Sequence, residues 1–429
     1  MPRSVLALIA LFPLWAIACA GRQPPRLPPF EAHAASLAIT RGIHMIAFAE
    51  LPDGFVPAAG VAPLWLEQGL EIGVIGMANG NSTILGLSGP GLTHGQVLAA
   101  DFGPAALNGR IVEAAPNADG SLLATAVADA STPRIEIVVR GMAFGDYGQT
   151  ITSFDGSYDA VTLAWLGHKI LAIGLRPAPP PDATETPLDS EATLPSNGIY
   201  LADTSSPGPL LHLDGVNCPV SPLSVAPNER FAVSAGADGV PAALFDLKAH
   251  ACRSLGAATP IKPLSWAPDS SSFLFAAPGP GGAIGTFRYI LASGAISTVA
   301  ISSTAAAIAS EGTIVAIGNR ELTWQQAARN AAMAKVEVAL IDPPTGDIKL
   351  NSLGFETTPA MMALSPMAYS TASDCGAIDA KLPGPTGPQR ELINYSARSH
   401  SAFVLGMGPA DNPIAMSWSP NGLVLAMVT

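Results

Sequence analysis

The chain has little charge of either sign. Asp, Glu, Lys and Arg make up 13% of its 429 residues, and the formal net charge is −12. Its basic residues are scattered, and no stretch of them forms a stripe that could follow a phosphate backbone. The sequence therefore predicts a protein that does not bind nucleic acid.

Motifs that mark common catalytic and metal sites are also missing. The sequence contains no His-Glu-x-x-His, no Cys-x-x-Cys, no phosphate-binding loop and no Gly-x-Ser-x-Gly. The seven histidines stand far apart, and none has ligand spacing from another. We therefore predict no metal, no cofactor and no catalytic residue, although side chains from separate repeats could still meet at one site.

The sequence does contain a repeated unit, which is clearest at Ser265–Ser270 (Ser-Trp-Ala-Pro-Asp-Ser) and Ser417–Gly422 (Ser-Trp-Ser-Pro-Asn-Gly). Each copy indicates a short strand, a tight turn and an apolar strand. Pro268 presets the backbone for a turn, and Asp269 can accept a bond from the backbone just beyond it. Eight copies can be identified: Pro63–Leu66, Val112–Gly120, Leu163–Gly167, Leu223–Glu229, Ile261–Ser270, Ala307–Gly312, Met362–Pro366 and Ile414–Gly422.

These residues resemble the Trp-Ser-Pro-Asp-Gly core of bacterial TolB-like and WD-type propeller repeats, and the copies are spaced near the ~40–50 residues typical of four-stranded blades. No copy carries the His and Asp of a full WD signature. The resemblance implies an all-β protein, a β-propeller of four-stranded blades. Eight blades are favoured, and seven remain if one weak copy is false. Such repeats serve scaffolds, binding proteins and enzymes, so they imply no particular function.

The two ends of the repeat region complement each other. The chain stops one strand after the last copy, while Leu37–Thr40 and Ile43–Phe48 precede the first copy and have no blade of their own. We expect these segments to pair with the C-terminus, so that N- and C-terminal strands close the ring and hide two sheet edges. Residues 33–429 then form a single β-propeller domain.

The N-terminus is typical of a targeting segment. Arg3 precedes an apolar run that ends in Ala16-Ile17-Ala18-Cys19, which is similar to the lipoprotein box of bacteria. The resemblance implies a signal peptide over residues 1–18 and lipid attachment at Cys19, whereas ordinary cleavage after Ala18 or Ala20 is the alternative. Residues 19–32 are rich in proline and indicate a tether. The mature protein is therefore expected on the periplasmic or cell-surface side of a bacterial membrane.

Three cysteines remain beyond Cys19, namely Cys218, Cys252 and Cys375, so at least one lacks a partner within the chain. The repeat register places Cys218 before an innermost strand and Cys252 at an outermost one. Those strands are ~14 Å apart, and a disulfide needs Cα atoms within ~7 Å. The register therefore argues against a Cys218–Cys252 bridge.

Four tryptophans occupy one position of the repeat: Trp65, Trp165, Trp266 and Trp418. They could form an aromatic ring around a ligand. Because the same residue recurs from blade to blade, we favour large side chains wedged between neighbouring blades.

Three insertions are predicted between second and third strands, and hence on one face: Arg176–Ser196, Asn319–Ala334 and Ala372–Gln389. The second is rich in helix formers and contains Trp324, which lies outside the repeat position, between Arg320 and Arg329. Tryptophan and arginine are enriched at interface hot spots, so we predict these three residues to bind a partner. A short helix that caps its own blade is the alternative. The third insertion contains Asp374, Cys375 and Asp379, a remote candidate for a metal or thiol site.

The function that fits these features is an exported, lipid-anchored scaffold that binds another envelope protein or a ligand through the insertion-bearing face. The alternative is a propeller-based enzyme, a hydrolase or lyase, with residues that converge at the central channel. The sequence leaves enzymatic activity open.

Overall fold

The computed structural model describes residues 5–11 and most of residues 43–428. The longest gaps are residues 12–42, 98–108, 179–197 and 214–222. Several predicted features lie outside the described residues: Cys19 and the tether, Leu37–Thr40, most of the first insertion, Cys218 and Arg320.

The described strands form eight antiparallel sheets, which we call blades 1 to 8. Blade 1 has the order β3-β5-β6-β7, with β4 also paired to β5; its strands are β3 (Phe55–Pro57), β4 (Leu64–Leu66), β5 (Glu71–Ala78), β6 (Asn81–Ser88) and β7 (His94–Val97). Blade 2 comprises β8 (Gly109–Pro116), β9 (Leu122–Asp129), β10 (Arg134–Gly141) and β11 (Gln149–Asp155). Blade 3 comprises β12 (Tyr158–Leu166), β13 (Ile170–Pro177), β14 (Gly198–Asp203) and β15 (Leu211–Leu213). Blade 4 comprises β16 (Leu223–Val225), β17 (Phe231–Ser234), β18 (Ala243–Asp246) and β19 (Ala251–Ser254).

The second half of the chain repeats this plan. Blade 5 comprises β20 (Lys262–Trp266), β21 (Ser272–Pro278), β22 (Ile284–Ile290) and β23 (Ile296–Ile301). Blade 6 comprises β24 (Ala306–Ile308), β25 (Ile314–Gly318), β26 (Ala334–Ile341) and β27 (Ile348–Thr357), with a short helix, α1 (Trp324–Arg329), between β25 and β26. Blade 7 comprises β28 (Met367–Ser370), β29 (Cys375–Gly384), β30 (Gly387–Ser396) and β31 (Ser401–Pro409). Blade 8 comprises β32 (Ala415–Trp418), β33 (Val424–Val428), β1 (Val5–Leu11) and β2 (Ile43–Glu50), in the order β2-β1-β33-β32.

Blade 8 unites the two ends of the chain, as the sequence predicted. Ile43–Glu50 belongs to this sheet, but it does not lie beside the C-terminal strand. Val5–Leu11, which the sequence assigned to the signal peptide, lies between them as β1 and pairs with both.

The second strand of a blade is apolar on both faces because both faces are covered. All five residues of β25 are buried, and in β21 only Pro278 is exposed. Fourth strands differ: β19 is almost wholly exposed, and the first three residues of β23 are exposed. The absence of alternation in the second strands thus predicts their double-sided burial correctly.

One backbone position after the first strand has positive φ in each of blades 2 to 8. Glycine, which adopts this conformation without strain, occupies it in four of them, and the others carry Glu229 (φ 57°), Ser270 (φ 60°) and Asp374 (φ 52°). In blade 5 the Asp269 carboxylate accepts a 2.9 Å bond from the Ser271 amide, as the motif predicts. This bond is the main cause of the lowered pKa of Asp269.

The predicted repeat of blade 7 was misplaced. Ser365 and Pro366 imitate the motif, but the first strand is Met367–Ser370, and the positive-φ residue is Asp374. Ala372–Gln389 is therefore not an inserted loop. It comprises the end of the first turn, all of β29 and the start of β30, which together form a long hairpin with Gly384 opposite Gly387.

The chain divides into two compact units. The first contains Met1–Trp65, Leu87–His94 and Lys262–Thr429, and the second contains Leu66–Gly86 and Gly95–Ile261. Each has apolar clusters between its own blades. Leu274 and Ile314 belong to such a cluster between blades 5 and 6, and Ile137 and Ile173 to one between blades 2 and 3.

Candidate partner-binding face

The repeated tryptophans connect neighbouring first strands. The indole Nε1 of Trp165 donates a 2.8 Å bond to the carbonyl oxygen of Ala115, in blade 2. Trp418 donates in the same way to Ala368 of blade 7, at 3.2 Å, and Trp65 donates to Ser417 of blade 8, also at 3.2 Å. Each bond satisfies the polar end of a large side chain between two blades. This confirms the packing role predicted for these residues over an aromatic ligand ring.

The serine that precedes tryptophan in two copies makes the reciprocal connection. Ser265 Oγ accepts a 3.1 Å bond from the Ile308 amide of blade 6, and Ser417 Oγ donates a 2.5 Å bond to the Pro63 carbonyl. In these copies the Ser-Trp pair therefore serves to join blades, and its polar atoms are used within the protein.

Trp324 begins α1 in the second insertion. The preceding Thr323 caps the helix: its hydroxyl accepts from the Gln326 amide, while the Gln326 side chain accepts from the Thr323 amide. This reciprocal arrangement is a capping box, and Asn330 ends the helix in the left-handed conformation. The helix formers of this insertion thus form a helix, which is six residues long.

The Trp324 ring packs on blade 5 rather than on its own blade. It stacks on Phe287, with centroids 5.7 Å apart and planes 9° from parallel. It also covers Gly279 and Gly285, where any Cβ atom would collide with the ring. Trp324 is therefore a cap that joins blades 5 and 6, and the alternative of a capping residue describes it better than a wholly exposed anchor. The glycine-rich run Gly279–Gly285 is the sequence signal that could have located the receiving surface.

Two apolar side chains close in sequence to this cap and its receiving surface are exposed. Ile284, directly after the glycine-rich turn, is 36% exposed, and Met333, directly before β26, is 48% exposed. Arg329, at the end of α1, is also exposed. We use the name cap face for the α1 segment and the turn that receives it, represented by Ile284, Trp324, Arg329 and Met333. Of the predicted binding residues, the structure thus places Trp324 and Arg329 on one helix.

The acidic and thiol residues considered in the third insertion do not form a site. Asp374 is 1% exposed, and its carboxylate accepts from the Ser310 amide (2.8 Å), the Ser310 hydroxyl (2.6 Å) and the Tyr369 hydroxyl (3.2 Å). Burial, together with this carboxylate, raises the pKa of Tyr369 above its usual range, so its hydroxyl stays protonated and donates. Asp374 thus joins blade 7 to blade 6, whereas Cys375 and Asp379 lie on β29.

Glu113, on β8, the first strand of blade 2, has a raised pKa. Burial raises its pKa to about 7, while a bond from the Ala114 amide partly opposes the shift. It lies at an irregularity of register in β8. A carboxyl group with this pKa can exchange a proton near neutral pH, which is what acid–base catalysis requires.

No metal-binding cluster and no membrane-spanning helix occur in the part of the chain that the structure describes. There, no three His, Cys, Asp or Glu residues are placed to hold a metal ion. No helix in that part is long and apolar enough to cross a bilayer.

Cys252 is in a disulfide, while Cys375 keeps a buried thiol outside any disulfide. The partner of Cys252 lies outside the described residues. The argument against a Cys218–Cys252 bridge therefore stays a prediction.

Eight antiparallel sheets, seven of them four-stranded, and first strands joined by Ser-Trp pairs define a multi-blade β-propeller. No family model matches the sequence, and no curated protein matches it. The fold is similar to that of prolyl oligopeptidase B from Galerina marginata, with a TM-score of 0.51 and 11% identity over 86% of this chain and 54% of that one. A match to TolB from Acinetobacter baumannii has a TM-score of 0.31 and 13% identity, over 81% of this chain and 59% of that one. The chain thus spans a little over half the length of these two proteins.

Proposed function

We propose that this protein is an exported, lipid-anchored β-propeller of the bacterial cell envelope, and that it binds a protein partner through the cap face. Two exposed apolar side chains close in sequence to the cap and its receiving turn, Ile284 and Met333, carry the proposal. Interface hot spots typically combine apolar surface with arginine and tryptophan side chains.

Export is supported by the N-terminal sequence and by the disulfide at Cys252. Disulfides persist in oxidising compartments such as the bacterial periplasm. If Cys19 carries a lipid and Cys375 keeps its thiol, Cys218 is the cysteine left to pair with Cys252. Lipid attachment and the disulfide are therefore compatible.

Lipid attachment is tested by growing cells with an alkyne fatty acid. We expect the mature protein to carry the label, to remain with membranes, and to lose both properties after Cys19→Ser. A labelled Cys19→Ser protein, or an unlabelled wild-type protein that begins at Cys19 or Gly21, would contradict this part of the proposal.

The cap face is tested by substitutions of exposed side chains that leave the stacking of Trp324 on Phe287 unchanged. Trp324→Ala is a poor choice because it removes the stacking on Phe287 and lowers stability. Met333→Asp places a charge on the cap face, whereas Leu350→Asp makes the same change on β27, and both parent side chains are 48% exposed.

We expect Met333→Asp to weaken capture of a stoichiometric membrane partner by about 10-fold or more, which corresponds to ~1.4 kcal/mol, with an unchanged melting temperature. Leu350→Asp should leave capture intact. Equal effects of the two variants, or the absence of any stoichiometric partner, would overturn the assignment of this face.

A second candidate function is a hydrolase or lyase, and Glu113 is the observation that favours it. Its pKa of about 7 suits a general acid or base. Prolyl oligopeptidase B is an enzyme by name, but the similarity covers 54% of that chain and concerns the fold alone.

A further inference from the structure

The Trp324 ring occupies a slot on blade 5. Phe287 forms one wall of this slot, with the two ring centroids 5.7 Å apart and the ring planes 9° from parallel. The floor is the backbone at Gly279 and Gly285, where a Cβ atom would collide with the ring. The slot is therefore a gap in a row of side chains, and its shape suits a flat aromatic ring.

The slot is shaped by contacts within blade 5. Phe287 stacks on Phe275, with centroids 5.5 Å apart, and Phe275 is buried. Gly285 belongs to β22, which pairs on both sides. The Gly279 amide donates a 2.7 Å bond to the Ala283 carbonyl. Since Trp324 takes part in none of these contacts, we expect the slot to keep its shape when the ring leaves.

The helix that carries Trp324 rests on blade 5 through apolar groups. Of the six residues of α1, Ala327 is buried, Trp324 is half-buried, and the other four are exposed. The Gln326 amide donates to the Thr323 hydroxyl, and the Ala327 amide donates to the Thr323 carbonyl. These bonds lie within one segment, so they survive if α1 moves as a unit. A segment with few buried apolar contacts opens at a lower free energy than core strands do.

We propose that this slot is a binding site for an indole side chain of the protein partner, which takes the place of Trp324. The inference rests on the proposed function, because the slot lies within the cap face, and it adds the chemical group that the partner presents. Trp324 shows that an indole fits, and stacked aromatic pairs are stabilising beyond the apolar area that they bury. Because the two indoles compete, the apparent affinity for the partner is reduced in proportion to the fraction of molecules whose slot is open.

A small indole probe, N-acetyl-tryptophanamide, tests the slot in purified full-length protein. Trp324→Ala empties the slot, and we expect about 10 mM probe to raise the melting temperature of this variant by about 2 °C or more. At Gly279, where φ is −102°, alanine is free of strain, so Gly279→Ala in the same variant fills the slot with a methyl group. The rise should then fall below about 0.5 °C.

N-acetyl-leucinamide, which is apolar but not flat, is the control probe. It should raise the melting temperature of neither variant by more than about 0.5 °C. Equal rises with the indole probe in the two variants, or no rise in folded Trp324→Ala, would overturn the inference.

Opening of the cap is measured in protein that retains Trp324, so it does not depend on how well Trp324→Ala folds. A thiol introduced by Ala327→Cys should react with a thiol reagent at least about 100-fold faster than the buried thiol of Cys375, because α1 opens without the blades. Addition of Gly279→Ala, which pushes the ring out of the slot, should speed this reaction by a further factor of about 10 and leave Cys375 unchanged. Gly208→Ala, at a glycine where a Cβ atom makes only an ordinary contact, is the matched control and should speed neither reaction. If Ala327→Cys reacts no faster than Cys375, the cap opens only when the fold does, and the inference is wrong.

Competition connects the slot with the partner. The indole probe at about 10 mM should lower capture of the stoichiometric membrane partner about twofold or more, whereas N-acetyl-leucinamide should leave capture unchanged. Capture that the indole probe leaves unchanged, in protein where Met333→Asp does weaken it, would overturn this inference and leave the proposed function intact. A probe effect on Trp324→Ala together with no effect of Met333→Asp would instead overturn the cap face as the partner's site and leave the slot as an indole site.

Discussion

Removal of Leu423–Thr429 is expected to abolish cooperative unfolding. This deletion removes β33, which lies inside blade 8 and whose last four residues are buried. Leu425 and Met427 also pack in the cluster shared with blade 7, so both blades lose apolar contacts. Burial of one large apolar side chain contributes ~1.5–3 kcal/mol, so with the lost sheet bonds the deletion approaches the ~5–15 kcal/mol stability of a typical domain.

Thermal unfolding followed by circular dichroism measures this effect. Removal of Thr429 alone is the control and should leave the melting temperature unchanged. A truncated chain that melts cooperatively within a few degrees of the intact protein would show that the C-terminal strand is not needed for the fold.

Substitution of Asp374 by alanine is expected to have the second-largest effect, a loss of about 3 kcal/mol in the free energy of unfolding. The substitution leaves the Ser310 amide and the Tyr369 hydroxyl without their acceptor, and each unsatisfied buried group costs ~1–3 kcal/mol. Alanine also keeps a Cβ atom at positive φ, so no strain is released.

Asp374→Gly separates the cost of the positive-φ backbone from the cost of losing the hydrogen bonds to the carboxylate. It relieves the backbone but still loses the carboxylate, so it should recover only about 1 kcal/mol relative to alanine. Glu229→Gly is the control, because Glu229 is exposed at the same position of blade 4 and should change stability by less than ~1 kcal/mol. Chemical denaturation of the three variants provides the comparison, and similar values for Asp374→Ala and Glu229→Gly would refute the role of the carboxylate.

The turns and blade order could be predicted from the sequence because their signals are local. Pro268 and Asp269 favour a turn through their own chemistry, and the tryptophan position recurs in blades 1, 3, 5 and 8. Blade 7 shows the limit of such signals. Ser365 and Pro366 match the motif locally, but the turn of blade 7 contains Asp374, whose carboxylate accepts a bond from the Ser310 amide, 64 residues away.

The candidate site was predicted less completely because its decisive contacts connect different blades. The helix propensity of residues 321–334 is a local property, and α1 forms where it was predicted. The Trp324 ring packs over Gly279 and Gly285 of blade 5, and although this glycine-rich run is visible in the sequence, nothing local pairs it with a tryptophan of another blade.

The positive-φ turns overlap in one direction along the chain. Asp374 of blade 7 reaches back to Ser310 of blade 6, and the Glu229 carboxylate of blade 4 lies over Gly167 of blade 3. Gly422 of blade 8 lies against Ser370 and Ser373 of blade 7. At these three junctions a turn contacts the blade that precedes it in the chain. A substitution that removes the contacting side chain at Glu229 or Asp374 therefore weakens first the junction with the N-terminal neighbour, which gives the effect of such a change a direction along the chain.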